Sequence, residues 1–242
     1  MMHHVCQGDA HIDEVAPGHY RLAIHSDGTR YCNAQLDDYH HLPRHEYPWQ
    51  APLRLSLWAK VPVSAPGTYG FGFWNAPYSP LTNQWPSLPA TAWFFGSGAG
   101  DMAWTPTSTA TGFKAATLDT RRWQARLMAP WAPLLMLLMR LPRVYAWLWP
   151  RLMPYLGLAE QMLTSDGEWH HYALEWQAQQ QVRWYVDDVC VAHAPWAPQG
   201  RLGLCIWIDN QWLAATPQAA LGWGLVSADT TLEVRDMVVT QG

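Results

Sequence analysis

Leu53 to Val61 reads LRLSLWAKV, the cleanest alternation in the 242-residue chain. Leu53, Leu55, Leu57, Ala59 and Val61 fall on one side of an extended segment, and Arg54, Ser56, Trp58 and Lys60 on the other. Successive side chains of a strand point to opposite faces, so this pattern predicts a half-buried strand. Similar runs lie on either side of it. His19 to Ile24 leads through Ser26-Asp27-Gly28, read as a hairpin-like turn, into Tyr31 to Asp38. There Asn33, Gln35 and Asp37 share one face, and Ala34 and Leu36 the other. Tyr69 to Asn75 (YGFGFWN), Thr91 to Gly96 (TAWFFG) and Phe113 to Leu118 read as further strands. Five more follow: Trp169 to Trp176, Val182 to Val186, Leu202 to Ile208, Leu221 to Val226 and Leu232 to Val239. Turn chemistry such as Asp187-Asp188 and Pro198-Gln199-Gly200 separates them. Ten or so strands with one helical excursion predict an all-β chain, a two-sheet jelly-roll sandwich spanning 1–242 as a single domain.

Composition narrows the function classes. Charged residues make up 14% of the chain, against about 25% in an ordinary soluble domain. Seventeen tryptophans stand beside two lysines, and the formal charge is −4. So aromatic a chain is not disordered, and without overall basic charge it is not an electrostatic nucleic-acid binder. Met1 to Ile12 contains no apolar run, so no signal peptide is read there. Cys6, Cys32, Cys190 and Cys205 form no CxxC pair, which predicts reduced, mostly buried thiols in a cytoplasmic protein. Zinc on Cys6 with His3 or His4 lacks a second ligand pair, and DDYHHLPRHE (Asp37 to Glu46) has no spacing that fixes metal geometry. No metal or cofactor is expected.

The charge is unevenly spread. Between Asp119 and Glu160 there is no acid but six arginines: Arg121, Arg122, Arg126, Arg140, Arg143 and Arg151. That stretch is +6, and the rest, nine basic against nineteen acidic residues, is −10. Residues 120–163 are otherwise rich in Leu, Met, Trp and Pro. Pro130, Pro133, Pro142, Pro150 and Pro154 predict short helical pieces, because proline lacks a donor and clashes with the preceding turn. The longest uncharged run, Leu127 to Met139, is too short to span a bilayer as a helix. Three readings of this insertion stay open: peripheral membrane contact through 121–163, a methionine-rich lid over a greasy ligand, and packing on its own domain or on a second subunit of a homodimer.

The C-terminal half carries a family resemblance. GEWHHYALEW (Gly167 to Trp176), VRWYVDDVCVAH (Val182 to His193), LGLCIWIDNQ (Leu202 to Gln211) and LEVRDMVVTQG (Leu232 to Gly242) resemble the closing strands of laminarinase-like family 16 glycoside hydrolases. YCNAQLDD (Tyr31 to Asp38) resembles that family's second strand, and GFGFWN (Gly70 to Asn75) its tryptophan strand. The resemblance covers about two thirds of the chain and implies a concanavalin A-like sandwich with a ligand cleft on one concave sheet. The family's E-x-D-x-E strand has no counterpart here. The corresponding Ala92 to Gly98 reads AWFFGSG, with no carboxylate before Asp101. Retaining hydrolysis needs two carboxyl groups about 5 Å apart, so standard family 16 hydrolysis is not expected.

On such a sheet the cleft would collect Asn33, Gln35, Asp37, Trp74, Trp93, Trp207, Asn210 and Gln211 as ligand-binding residues. Asp101, Asp209 and His171 are the candidates for any acid or base role. Amides and carboxylates beside indole faces suit either sugar hydroxyls or the one polar group of a greasy ligand. The bland alternative for Asp209 and Asn210 is a turn after Ile208. A Ser97–His171–Asp209 triad lacks any G-x-S-x-G context. The leading expectation is a non-hydrolytic sandwich that binds an apolar or amphiphilic small molecule in an aromatic cleft. One alternative is an enzyme of altered chemistry: a cyclase or isomerase on an isoprenoid- or polyketide-like substrate, or a divergent glycoside-hydrolase-like enzyme. Another is a carbohydrate-binding module.

Overall fold

Burial along Leu53–Lys60 alternates as its sequence does: the leucines and Ala59 are enclosed while Trp58 faces out. The computed structural model describes residues 2–77, 85–178, 181–216 and 222–242. In chain order its strands are β1 (His3–Gln7), β2 (Ala10–Ala16), β3 (His19–Asp27), β4 (Asn33–Asp37), β5 (Leu53–Lys60), β6 (Thr68–Trp74), β7 (Ala90–Ser97), β8 (Gly100–Asp101), β9 (Gly112–Asp119), β10 (Ala159–Leu163), β11 (Trp169–Gln177), β12 (Gln181–Val186), β13 (Val189–Ala194), β14 (Gly203–Asp209), β15 (Gln211–Ala214), β16 (Gly222–Leu225) and β17 (Ser227–Gln241). Leu221, the first residue of one expected strand, lies outside the described residues.

Two seven-stranded sheets dominate. The front sheet runs β1-β4-β14-β6-β7-β9-β10, and the back sheet β13-β12-β11-β5-β17-β3-β2. Every pairing within them is antiparallel, which makes the fold the expected two-sheet jelly-roll sandwich. A short third sheet, β16-β15-β8, lies at the end of β14. Between the large sheets the inward residues form one core. Phe71 and Phe94 of the front sheet meet Tyr172 of the back sheet at ring distances of 5.2 and 5.1 Å, and Phe73 meets Trp176 at 6.0 Å. Aromatic pairs in such tilted and edge-on contact add about 1 kcal/mol each beyond the area they bury. Trp184 of β12 reaches across the core, and its Nε1 donates to Trp93 O at 3.1 Å, fixing β7 from behind.

Two local expectations are corrected. Ser26-Asp27-Gly28 does not close a hairpin, because β3 belongs to the back sheet and β4 to the front. Asp27 Oδ1 accepts from Thr29 N and Oγ1, and Gly28 has φ +86°, so the turn is tight. Instead of folding back, the chain is captured by Asn210. Its Oδ1 accepts from Cys32 N, and its Nδ2 donates to Ser26 Oγ and Arg30 O. The insertion also ends earlier than expected. Its helices are α1 (Trp123–Met128), α2 (Ala132–Met139) and α3 (Pro142–Leu152), and Ala159–Leu163 is the edge strand β10. Gly157, at φ +58°, stops the helical run in the left-handed conformation, and the extended chain then pairs with β9. The helical stretch is broken into short pieces as its prolines predict, with Pro133 and Pro142 in the first turns of α2 and α3, although Pro150 lies inside α3. No helix of the described residues is long and apolar enough to cross a membrane. All four cysteines are free, and two of them, Cys32 and Cys205, are buried.

Candidate ligand-binding face

The outer face of the front sheet is built by an alternation of phenylalanine and glycine. In β6 the run Gly70-Phe71-Gly72-Phe73 sends both rings into the core and leaves the outer side without side chains. The neighbouring strands fill that space. Trp207 of β14 lies opposite Gly70, and Trp93 of β7 opposite Gly72. A Cβ on Gly70 would stand 2.9 Å from the Trp207 ring, and one on Gly72 would stand 2.5 Å from Trp93 Cα. The two indoles therefore meet over β6, with ring centroids 5.2 Å apart. Phe95 stacks on Trp93 at 5.3 Å, and Trp74 lies parallel to Trp207 at 6.4 Å.

Loops extend this aromatic surface. Tyr39 covers β14 at Gly203, where a Cβ would collide with its ring, and it packs on Tyr47 at 4.8 Å. Its hydroxyl accepts from Trp74 Nε1. Met102, Trp104, Leu213 and Ala215 close the other end of the cluster. Trp207, Phe95 and Tyr39 are buried, whereas Trp74 and Trp93 keep part of their rings open. Trp93 Nε1 and Ser97 Oγ are buried and make no hydrogen bond among the described residues.

The acids expected here are bound to the protein. Asp209 Oδ1 accepts from Thr68 N, Thr68 Oγ1 and Gln211 N at 3.2, 2.8 and 3.0 Å, and its Oδ2 from Tyr31 Oη at 3.3 Å. Burial still pushes its carboxyl up to about 6, against the pull of those donors. Asp37 caps the turn after β4: Oδ1 accepts from Tyr39 N and His40 N, and Oδ2 accepts from Gln35 Nε2 at 2.7 Å. Asn33 is buried opposite Asp209 in the ladder. Asp101 sits half-buried in β8, where its Oδ1 accepts from Ala103 N. Gln211 begins β15 half-buried.

Two expected site residues are elsewhere. His171 lies on the outer side of the back sheet, with its ring 5.5 Å from Trp58 and Nδ1 3.5 Å from Asp188. β11 belongs to the back sheet, and its inward residues are Tyr172, Leu174 and Trp176, so His171 has the whole sandwich between it and Asp209. Asn210 is enclosed, holding the β3–β4 crossover. Among the described residues no group of three His, Cys, Asp or Glu could hold a metal ion.

Sequence reasoning missed a buried ion pair beside the face. Lys114 and Glu160, from the adjacent strands β9 and β10, stand 2.8 Å apart with side chains 1% and 0% exposed. Glu160 Oε2 accepts from Trp104 N, Thr105 N and Ser108 Oγ, and Lys114 Nζ donates to Met102 O. The pair thus ties down the loop that carries Met102 and Trp104. A lone lysine in a strand of small apolar residues (FKAAT) was the available signal.

The fold class is a jelly-roll β-sandwich. No protein-family model matches the sequence, and neither does any curated protein. Solved structures of similar shape include an endo-beta-1,4-glucuronan lyase from the fungus Trichoderma reesei, at 10% identity and TM-score 0.48, covering 99% of this chain and 90% of that one. A glycoside hydrolase family protein from Mycobacterium thermorestibile is similar at 12% identity and TM-score 0.48, covering 95% and 79%. A sialidase is similar at 10% identity and TM-score 0.47, and there this chain spans 99% of itself but 17% of the other. Likenesses at this level carry no inference about activity.

Proposed function

We propose that the outer face of the front sheet binds the apolar part of a small amphiphilic molecule. The observation behind this reading is the cluster of Trp74, Trp93, Phe95 and Trp207, beside which Gln35, Asp37 and Asp209 are already hydrogen-bonded within the protein. Sugar recognition needs several free donors and acceptors around an indole. Here Asp37, Asp209 and Gln35 are taken, while Trp93 Nε1 and Ser97 Oγ on β7 are buried without a hydrogen-bond partner among the described residues. One such donor suits one polar head, and an unpaired buried N–H gains about 1–3 kcal/mol by finding an acceptor. The outer face of the back sheet offers a contrast: it carries Arg54–Glu175 and Arg21–Glu233 ion pairs, with Arg235 over Trp169. A proton-transfer role for Asp209 is disfavoured by the donors that occupy both its oxygens.

The test is calorimetric titration of the full chain with decanoic acid and, in parallel, with laminarihexaose. Binding of decanoate with a negative heat-capacity change, lost in the W74A/W93A double variant, supports the reading. Binding of the hexasaccharide alone overturns it.

A further inference from the structure

The insertion presents a surface that is poorly suited to water. α2 is apolar on every side (APLLMLLM), yet Met139 is its one buried residue. Leu134, Met136, Leu137 and Leu138 are all exposed, and Leu137 is open to 59%. A helix that is hydrophobic all round is ordinarily buried. On α3, Val144, Tyr145, Leu148 and Trp149 turn inward, and Trp149 Nε1 donates to Trp104 O at 2.7 Å. Its outward stripe is Arg143, Trp147 and Arg151, spaced one turn apart. The Arg151 guanidinium lies 4.6 Å from the centre of the Trp147 ring, which is 60% exposed. Trp123 and Trp131, open to 67% and 62%, add further indoles along α1 and the turn after it.

The charge on this surface is of one sign. The acids that bound the stretch point inward: Asp119 is held by Arg121 and Gln199 N, and Glu160 by Lys114. Arg126, Arg140, Arg143 and Arg151 are exposed and make no ion pair among the described residues. Exposed indoles and leucines interleaved with arginines that have no acidic partner among the described residues match the boundary where acyl chains meet phosphate headgroups.

We infer that the outward face of residues 121–156 docks on an anionic lipid bilayer. Trp131, Leu134, Leu137 and Trp147 enter the headgroup–acyl boundary, and the four exposed arginines pair with lipid phosphates. Charge complementarity decides against a two-fold copy of the chain as the occupant. A two-fold contact sets the same patch against itself, which would press arginines together with no acid between them. This docking is independent of what the front sheet binds.

The experiment is co-sedimentation of the full chain with phosphatidylcholine vesicles and with mixed phosphatidylglycerol–phosphatidylcholine vesicles, at low and high salt. The chain is expected to sediment with the anionic vesicles and to be released by salt. R143Q/R151Q, checked for retained fold by circular dichroism, is expected to partition about 30-fold more weakly, near a factor of five per arginine. L134S/L137S is expected to weaken binding to the same vesicles through its apolar half. No sedimentation with either vesicle overturns the inference, whether the chain is then a monomer or a dimer by light scattering. Equal binding to both vesicle types, or binding unchanged in R143Q/R151Q, overturns it too.

Discussion

Trp207 and Asp209 stand two residues apart on β14 and are joined by one hydroxyl. Trp207 Nε1 donates to Thr68 Oγ1 at 3.1 Å, and that hydroxyl donates to Asp209 Oδ1 at 2.8 Å. The relay fixes the indole in the middle of the aromatic face and explains why a carboxylate is enclosed there. It is a positioning device, and both ends depend on Thr68. Valine at position 68 keeps the shape and removes the hydroxyl, leaving the indole N–H buried and unpaired. T68V is expected to cost about 2 kcal/mol in urea unfolding and to change the tryptophan emission of the folded protein.

Asp209 makes a pH prediction with a definite sign. Its carboxyl is raised to about 6 in the folded chain, above its ordinary value of 3.8, so the native state holds the proton more tightly than the unfolded state. Its contribution is present at low pH and is lost as pH rises through about 6. Asparagine keeps an acceptor for the donors that converge on Oδ1 and does not titrate. D209N is therefore expected to gain about 1 kcal/mol on the native protein between pH 5 and pH 7, read as the difference between their unfolding curves. An unchanging difference would show that Asp209 is ionised throughout.

Lys114 and Glu160 are worth little as a stabilising pair and much as a dependency. Removing the lysine strands a fully enclosed carboxylate, so K114M is expected to destabilise the protein by about 3–5 kcal/mol. K114M/E160Q should recover at least about 1 kcal/mol of that loss. A glutamine oxygen can still accept from Trp104 N and Thr105 N without a buried charge. The double-mutant cycle checks it.

Gly72 tests how the face is built. Alanine there would place a Cβ 2.5 Å from Trp93 Cα, on backbone that cannot yield cheaply. G72A is expected to cost about 2 kcal/mol or more and to push Trp93 off the surface, weakening ligand binding along with stability. Thermal unfolding and calorimetry read the two effects.

Most of the fold could be read from alternation. The inward sets Leu53, Leu55, Leu57 and Ala34, Leu36 lie in the core as their spacing predicts. The β3–β4 connection was misread because a Ser-Asp-Gly turn looks the same locally whether the chain folds back or crosses over; Asn210, about 180 residues away, decides it. Strand β10 was hidden inside an apolar stretch whose composition reads as helix. Of the site, Trp74, Trp93 and Trp207 are grouped on one sheet face only by what the family resemblance implies, and in the structure their rings lie 5.2 to 6.4 Å apart. Gly70 and Gly72 were not seen to make room for them, because strand alternation describes side chains and says nothing of a face left empty. His171 was misassigned for a topological reason: neither periodicity nor spacing tells which of two sheets a strand joins.

Photo-crosslinking would locate an apolar ligand on the front sheet or away from it. The full chain would be irradiated with a diazirine-bearing decanoic acid and the labelled peptides mapped by mass spectrometry. Label on residues 90–104 and 203–215, lost in W74A/W93A, is the expected result. Label confined to 121–156, or no label at all, would contradict it.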